Sequence, residues 1–228
     1  MRPPVVDYRN FRLRKLNSPE FSHLKLLFGW VGYFTLYFLT ESIIPEQSCT
    51  PVYCFLDDLI PFCEWFIIPY VLWYALVAGS LLYFALHNID GFKKLSTYII
   101  ITQVAAMSIY ILFPTRQDLR PESFPRENFL TQIVALLYSF DTNTNVCPSL
   151  HVAYSLGIAS VWIKEKDASR LLKACIVIFV ISVCLSTAFI KQHSVLDGFA
   201  AIPICLLQNG LYSTGKNAAG NKACGVLL

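Results

Sequence analysis

The chain has 228 residues, 55% of them hydrophobic and only 14% charged, with a mean hydropathy of +0.52 and a formal net charge of +3. That balance excludes an ordinary water-soluble domain, in which about a quarter of residues are charged, and points to lipid as the solvent. Charge is missing from long uninterrupted stretches, and a bilayer core of roughly 30 Å is crossed by about 20 apolar residues in a helix.

In chain order, residues 1–25 carry Arg2, Arg9, Arg12, Arg14, Lys15 and Lys25 and read as a cytoplasmic arm, either an amphipathic surface helix or a solvated tail. The first span runs from Leu26 to Ile44; it is longer than a signal-peptide core and no small-residue cleavage site follows, so it reads as a retained anchor. The loop after it holds Cys49, Cys54 and Cys63 on the outer side, where a disulfide can form, Cys49 with Cys54 being the favoured pair. A second span covers Trp65 to Leu86 and a third Leu95 to Phe113, with Lys93 and Lys94 in the loop between. Glu127 to Phe140 is apolar on one face but too short to cross, and predicts a short helix at the outer interface. The fourth, fifth and sixth spans run from Cys147 to Ile163, Leu171 to Ile190 and Val195 to Tyr212.

Pro69 and Pro203 fall inside two spans as kinks that neighbouring helices can accommodate. Trp30, Trp65, Tyr98, Trp162 and Tyr212 sit near the ends, as membrane-interface aromatics do. Cys175, Cys184 and Cys205 read as small apolar packing residues, and His23 and His87 as hydrogen-bonded packing histidines.

All but four of the 18 Lys and Arg residues fall in the arm, in the loops after the second and fourth spans, or in the tail with Lys216 and Lys222. The positive-inside rule then puts both termini in the cytoplasm. The expected architecture is an all-α polytopic membrane bundle: an arm over 1–25, a six-helix domain over 26–212, and a cytoplasmic tail over 213–228. The four exceptions, Arg116, Arg120, Arg126 and Lys191, lie within or beside the polar segments that carry chemistry.

Ionisable residues at the edge of a membrane span are costly, which makes them functional candidates. His151 closes the run Asn145-Val146-Cys147-Pro148-Ser149-Leu150-His151, and His193 lies between the fifth and sixth spans. One descending and one ascending span separate them, so both histidines belong on the outer face. Pro148 suits a helix start, whose free amides near Ser149 and Leu150 can face an anion. Asp197 follows His193 by four residues and, on a helix, can hold one ring nitrogen and leave the other free to attack. Arg120 and Lys191 add positive charge for a phosphoryl group. Simpler readings stand beside these: Ser149 and Asp197 as helix caps, Lys191 reaching to the interface, Arg116 as a solvated loop charge. A zinc site from Cys147, His151, His193 and Asp197 is conceivable, but Arg120 and Lys191 disfavour a dication.

Taken together, Arg120-Pro121, Pro148-Ser149-x-His151 and Ser186-x6-His193-x3-Asp197 resemble the three signature blocks of the type-2 phosphatidic acid phosphatase superfamily of membrane lipid phosphatases, in order and on one side of the membrane. The family's lysine, glycine and arginine positions hold Phe113, Leu150 and Thr187 here, and Pro-Ser-Leu-His resembles the inositol phosphorylceramide synthase branch. The resemblance implies a six-helix enzyme with its site outside the membrane, acting on lipid phosphate or pyrophosphate monoesters. His193 is then the nucleophile that becomes phosphohistidine, Asp197 orients it, and His151 is the acid and base. Arg120, Ser149 and Lys191 would bind the phosphoryl oxygens, Leu150 and Thr187 occupy family binding positions, and Arg116 stands in for the lysine. The alternatives are a lipid phosphotransferase with an alcohol acceptor, or a non-catalytic lipid transporter or binding protein. The expected partners are a phosphorylated lipid and the bilayer, with no nucleic acid, cofactor or metal.

Overall fold

A computed structural model describes residues 4–206. Arg2, the end of the sixth span (207–212) and the tail with Lys216 and Lys222 lie outside the described residues.

The described chain is mostly helical: α1 Phe28–Ile43, α2 Phe55–Leu59, α3 Ile67–His87, α4 Ile89–Leu112, α5 Phe129–Phe140, α6 Leu150–Lys164, α7 Arg170–Phe189 and α8 Val195–Leu206. Among the described residues, four helical segments are long and apolar enough to cross a membrane: Ser22–Ile43, Glu64–His87, Ile89–Leu112 and Arg170–Phe189. They correspond to the first, second, third and fifth expected spans. The fourth is shorter than the sequence suggests. Its apolar run begins at Cys147, but the chain bends at Cys147 and Pro148 and the helix starts only after Ser149, whose side chain caps it by accepting from Val152 N. That leaves the 15 residues of α6, about 22 Å of helix at roughly 1.5 Å per residue. α5 has 12 residues and starts at a capping box between Asn128 and Thr131, as the short apolar run implies.

Two boundaries differ from expectation for local reasons. Asn88 is the only residue between α3 and α4, and its side chain accepts from Gly91 N. The helix therefore starts early, and Lys93 and Lys94 lie in its first turns instead of a loop. Pro69 falls in the first turn of α3, where a proline costs little.

The N-terminal arm is neither a solvated tail nor a surface helix. Short 3-10 turns fold it against the end of α3, burying Val6, Phe21 and His23. Val5 N donates to Leu86 O at 2.7 Å. The Tyr8 hydroxyl donates to Ala85 O at 2.8 Å, so its 2.7 Å bond to His23 Nε2 is donated by the histidine.

The main core lies among α3, α4, α6, α7 and α8, built from residues such as Phe84, Phe92, Tyr98, Ile99, Ile158, Trp162 and Val183. α4 and α6 approach closely because Gly157 faces the Tyr98 ring, whose hydroxyl donates to Ala153 O at 2.8 Å. A second cluster, Ile67, Tyr70, Val134 and Ile190, seats α5 against the start of α3 and the end of α7.

At one end of the bundle the connecting loops are knitted together. β1 (Thr50–Pro51) pairs in parallel with β2 (Thr115–Arg116), and Arg116 forms an antiparallel bridge with Thr144. This pairing corrects the expected Cys49–Cys54 disulfide: both are free thiols. The strand between them is extended, at roughly 3.3 Å per residue, whereas a disulfide needs Cα atoms within about 7 Å. Cys49 instead is buried with its thiol on Pro45 O.

Candidate active site

The knitted end gathers the starts of α6 and α8 and the end of α7. Ser149 N donates to Asp197 O at 3.0 Å, which locks the two helix starts to each other. Tyr110 Oη donates to Pro148 O at 2.7 Å and holds the same turn from α4. The result brings His151, His193 and Asp197 together, with the two imidazole centroids 5.8 Å apart.

His193 Nδ1 lies 3.2 Å from Asp197 Oδ2 and 3.1 Å from Val146 O, and only one proton is available there to share between these acceptors. Both acceptors call for the proton on Nδ1, which leaves Nε2 with a lone pair. Asp197 is fully buried, and Oδ2 also accepts Ser194 N at 3.0 Å. His151, the second residue of α6, packs against two rings, stacked on Tyr70 at 4.3 Å and tilted against Trp73 at 4.2 Å between centroids. Its Nε2 is buried without a hydrogen-bond partner among the described residues, as is Trp73 Nε1.

Both histidines and Leu150 line a cavity of about 530 Å³ between α1, α3, α4 and α5. Its walls are largely aromatic, including Trp30, Tyr33, Tyr37, Trp73, Tyr74 and Phe140, and its polar lining includes Gln192, Asn145 and Asp141. Among the described residues, no Lys or Arg lines it.

The expected cations are bound elsewhere. Arg120 donates to the carbonyls of Tyr138, Asp141 and Thr142 at 3.1, 2.6 and 2.9 Å, and to Gln192 Oε1 at 3.0 Å, with its guanidinium 4.4 Å from the Tyr138 ring centroid. Burial lowers its pKa, opposed chiefly by the Asp141 carboxylate. Arg120 therefore fastens the loop after α5 to the residue beside His193. Gln192 Nε2 and the Tyr70 hydroxyl in turn donate to Asp141 Oδ2, at 2.7 and 3.2 Å.

Lys191 has a left-handed backbone, φ 56°, and its ammonium donates to Asp57 O at 2.7 Å and Ile60 O at 2.5 Å at the end of α2. Burial lowers its pKa, with Asp57 and Asp58 acting against that. Arg116 pairs with Asp118 at 3.3 Å. Thr187 contributes its carbonyl, which accepts Gln192 N and His193 N at 3.0 Å each and shapes the turn before the nucleophile candidate, while its hydroxyl donates to Cys184 O. Ser149 caps α6 and is fully buried. Among the expected residues, then, His151, His193 and Leu150 face the cavity, and Asp197 supports them from behind. Ser149, Thr187, Lys191 and Arg120 build the frame.

Sequence reasoning passed over Asp57, Asp141, Gln192 and the ring pair Tyr70 and Trp73. Gln192 had a signal in its place next to His193, and Asp141 in the polar run Asp141-Thr142-Asn143-Thr144-Asn145. The rings had none, since aromatic residues crowd every helix. Among the described residues, no three His, Cys, Asp or Glu side chains converge so as to hold a metal ion.

Compared with known proteins, the chain matches no family model, no curated protein and no solved structure.

Proposed function

We propose that this chain is an integral membrane enzyme that transfers phosphoryl groups from lipid phosphates through a covalent intermediate on His193. One observation carries the reading: two imidazoles 5.8 Å apart on the wall of one cavity, one of them held through Nδ1 by a buried carboxylate. This is the layout needed for a nucleophile and a proton donor to flank one phosphorus atom. The resemblance in motif order noted above points the same way.

In the first step His193 Nε2 forms a bond to phosphorus while the bond from phosphorus to the lipid oxygen breaks. His151, carrying a proton on Nε2, gives it to that oxygen. The phosphohistidine ring is cationic, and Asp197 balances it through Nδ1–H. In the second step His151 takes a proton from water, whose oxygen bonds to phosphorus as the bond to His193 breaks, releasing inorganic phosphate. The amides of Leu150 and His151, ahead of the capped Val152 N, have no earlier helix carbonyl to bond and lie at the positive end of the helix dipole, which favours the phosphoryl oxygens there.

The lipid arrives from the bilayer, so the reading includes six membrane crossings, both termini in the cytoplasm and a site on the extracytoplasmic side of the cell membrane. The four long apolar helices support it, as does the gathering of α6, α7 and α8 ends at the site. The distribution of Lys and Arg sets the orientation.

Purified protein in detergent should release inorganic phosphate from phosphatidate or a polyprenyl pyrophosphate, be inhibited by vanadate, and remain active in chelator. A quenched reaction with radiolabelled substrate should leave acid-labile label on His193. Full activity in His193→Ala would end the reading.

The aromatic wall beside His151 favours a second reading in which the acceptor is the hydroxyl of another lipid instead of water, because an apolar alcohol fits that wall better than bulk solvent. Head-group exchange without phosphate release would identify it.

A further inference from the structure

The turn that carries His193 is held from outside the motif by the first long loop. Asp57, in α2, is 3% exposed, and its carboxylate is occupied on both oxygens. Oδ1 accepts Val195 N at 2.8 Å; Oδ2 accepts Ser194 Oγ at 2.6 Å and Cys54 N at 2.8 Å. Val195 is the first residue of α8, so a side chain 138 residues away in sequence caps that helix. The hold is reciprocal, since Lys191 donates to the carbonyls of Asp57 and Ile60 that end α2.

The connection to chemistry is short. Ser194, gripped by Asp57 through its hydroxyl, donates its backbone N–H to Asp197 Oδ2, the same oxygen that faces His193 Nδ1. Movement of Ser194 therefore moves the carboxylate that orients the ring. A carboxylate suits the position because it accepts three donors from two separate segments. An amide of the same shape offers one oxygen and turns a donor toward one of the groups it must accept from.

We propose that Asp57 is a positioning residue for phosphoryl transfer, fixing the start of α8 so that Asp197 holds the His193 ring in line with phosphorus. This rests on the phosphoryl-transfer reading and extends it by giving the loop between α1 and α3 a part in turnover. Lys191 belongs to the same device, as the return half of the clamp.

The test uses the full chain in detergent, with phosphatidate as substrate and vanadate as a probe of the pentacoordinate state. In Asp57→Asn we expect kcat to fall about 10- to 100-fold, the loss that misplacement on the order of 1 Å produces, with KM little changed. Vanadate affinity should fall in step with kcat, measured below the unfolding temperature of the variant. Ser194→Ala removes a single hydroxyl contact and should lower kcat in the same direction by a smaller factor. The substitutions should be less than additive, because both act through Ser194. A variant that only unfolds at lower temperature, with kcat and vanadate affinity unchanged, would overturn the proposal. If Asp57→Asn does not fold, an unaltered kcat in Ser194→Ala overturns it instead. Full turnover in His193→Ala would remove the phosphoryl-transfer reading itself. An inactive His193→Ala beside a fully active Asp57→Asn would remove only the positioning role.

Discussion

Gly157→Ala is the most demanding test of the packing that sets the histidines. A Cβ at this position would lie 2.1 Å from Tyr98 Cε1, 2.5 Å from Cδ1 and 2.7 Å from Cζ. Carbon atoms rest about 3.5 to 4.0 Å apart, so α4 and α6 would have to separate by roughly 1.5 Å. The ring cannot swing away cheaply, because Tyr98 is buried and its hydroxyl is bonded to Ala153 O of the same helix α6. Overpacking costs about 1 to 3 kcal/mol, and a contact this short belongs at the upper end. Alanine recovers about 1 kcal/mol of helix propensity over glycine. The net loss is about 2 kcal/mol, roughly a 30-fold shift in the folding equilibrium. His151 lies on the same helix near its start, and a displacement of about 1 Å there should lower kcat on the order of 10²-fold. Thermal unfolding in detergent and phosphate release from phosphatidate measure the two effects. The control is Tyr98→Ala: in that background the added methyl should cost almost nothing, because the clash is gone. A Gly157→Ala protein with wild-type stability and turnover, or one equally destabilised in both backgrounds, would refute the close approach of α4 and α6.

Two further predictions concern charge and thiol chemistry. Asp197→Asn keeps the shape but not the charge beside His193 Nδ1, so on the phosphoryl-transfer reading the cationic phosphohistidine loses its counter-ion; kcat should fall on the order of 10³-fold with KM little changed, read by steady-state phosphate release, and an unimpaired variant would remove Asp197 from the mechanism. Burial pushes the Cys49 thiol up, with Glu41 adding to it and Arg116 opposing, so the folded chain holds that proton more tightly than the unfolded one. Its contribution to stability is therefore present at neutral pH and lost as pH rises past the ordinary thiol value of about 8.5. Iodoacetamide at pH 8 should modify Cys49 slowly until the protein is unfolded, and mass spectrometry without reductant should find Cys49 and Cys54 unlinked. Rapid alkylation in the folded state, or a Cys49–Cys54 bridge, would contradict the structure.

What the sequence made legible was local. The i, i+4 spacing of His193 and Asp197 and the cap at Ser149 follow from residues within one turn of each other, and the short amphipathic run ending at Phe140 from a single 12-residue segment. The N-terminal arm was misleading because Val6, Tyr8 and Phe21 are scattered among arginines without a helical period, yet three separate turns bury two of them fully or nearly so. The cysteine pair was misleading because its geometry depends on β2, more than 60 residues further along the chain. Charged side chains were the hardest to assign. Lys191 and Arg120 stand in the right segments for phosphate contact, but a long side chain chooses among acceptors within about 6 Å of its backbone in every direction, and the nearest carbonyls come from α2 and from the loop after α5. Nothing in the sequence around Lys191 names Asp57.

The placement of these cations bears on how the site handles charge. The connecting loops meet at one end of the bundle, where backbone carbonyls that lose water need donors. Arg120 serves three such carbonyls with one guanidinium, and Lys191 serves two with one ammonium. The rigidity gained falls on the two residues before His193, since Arg120 also holds Gln192 and Lys191 is itself the residue before it. A fixed cation directly on a transferring phosphoryl group stabilises the charge that spreads over its oxygens in the transition state. On the phosphoryl-transfer reading, cations that instead fix the frame leave that stabilisation to the first amides of α6 and to the two imidazoles.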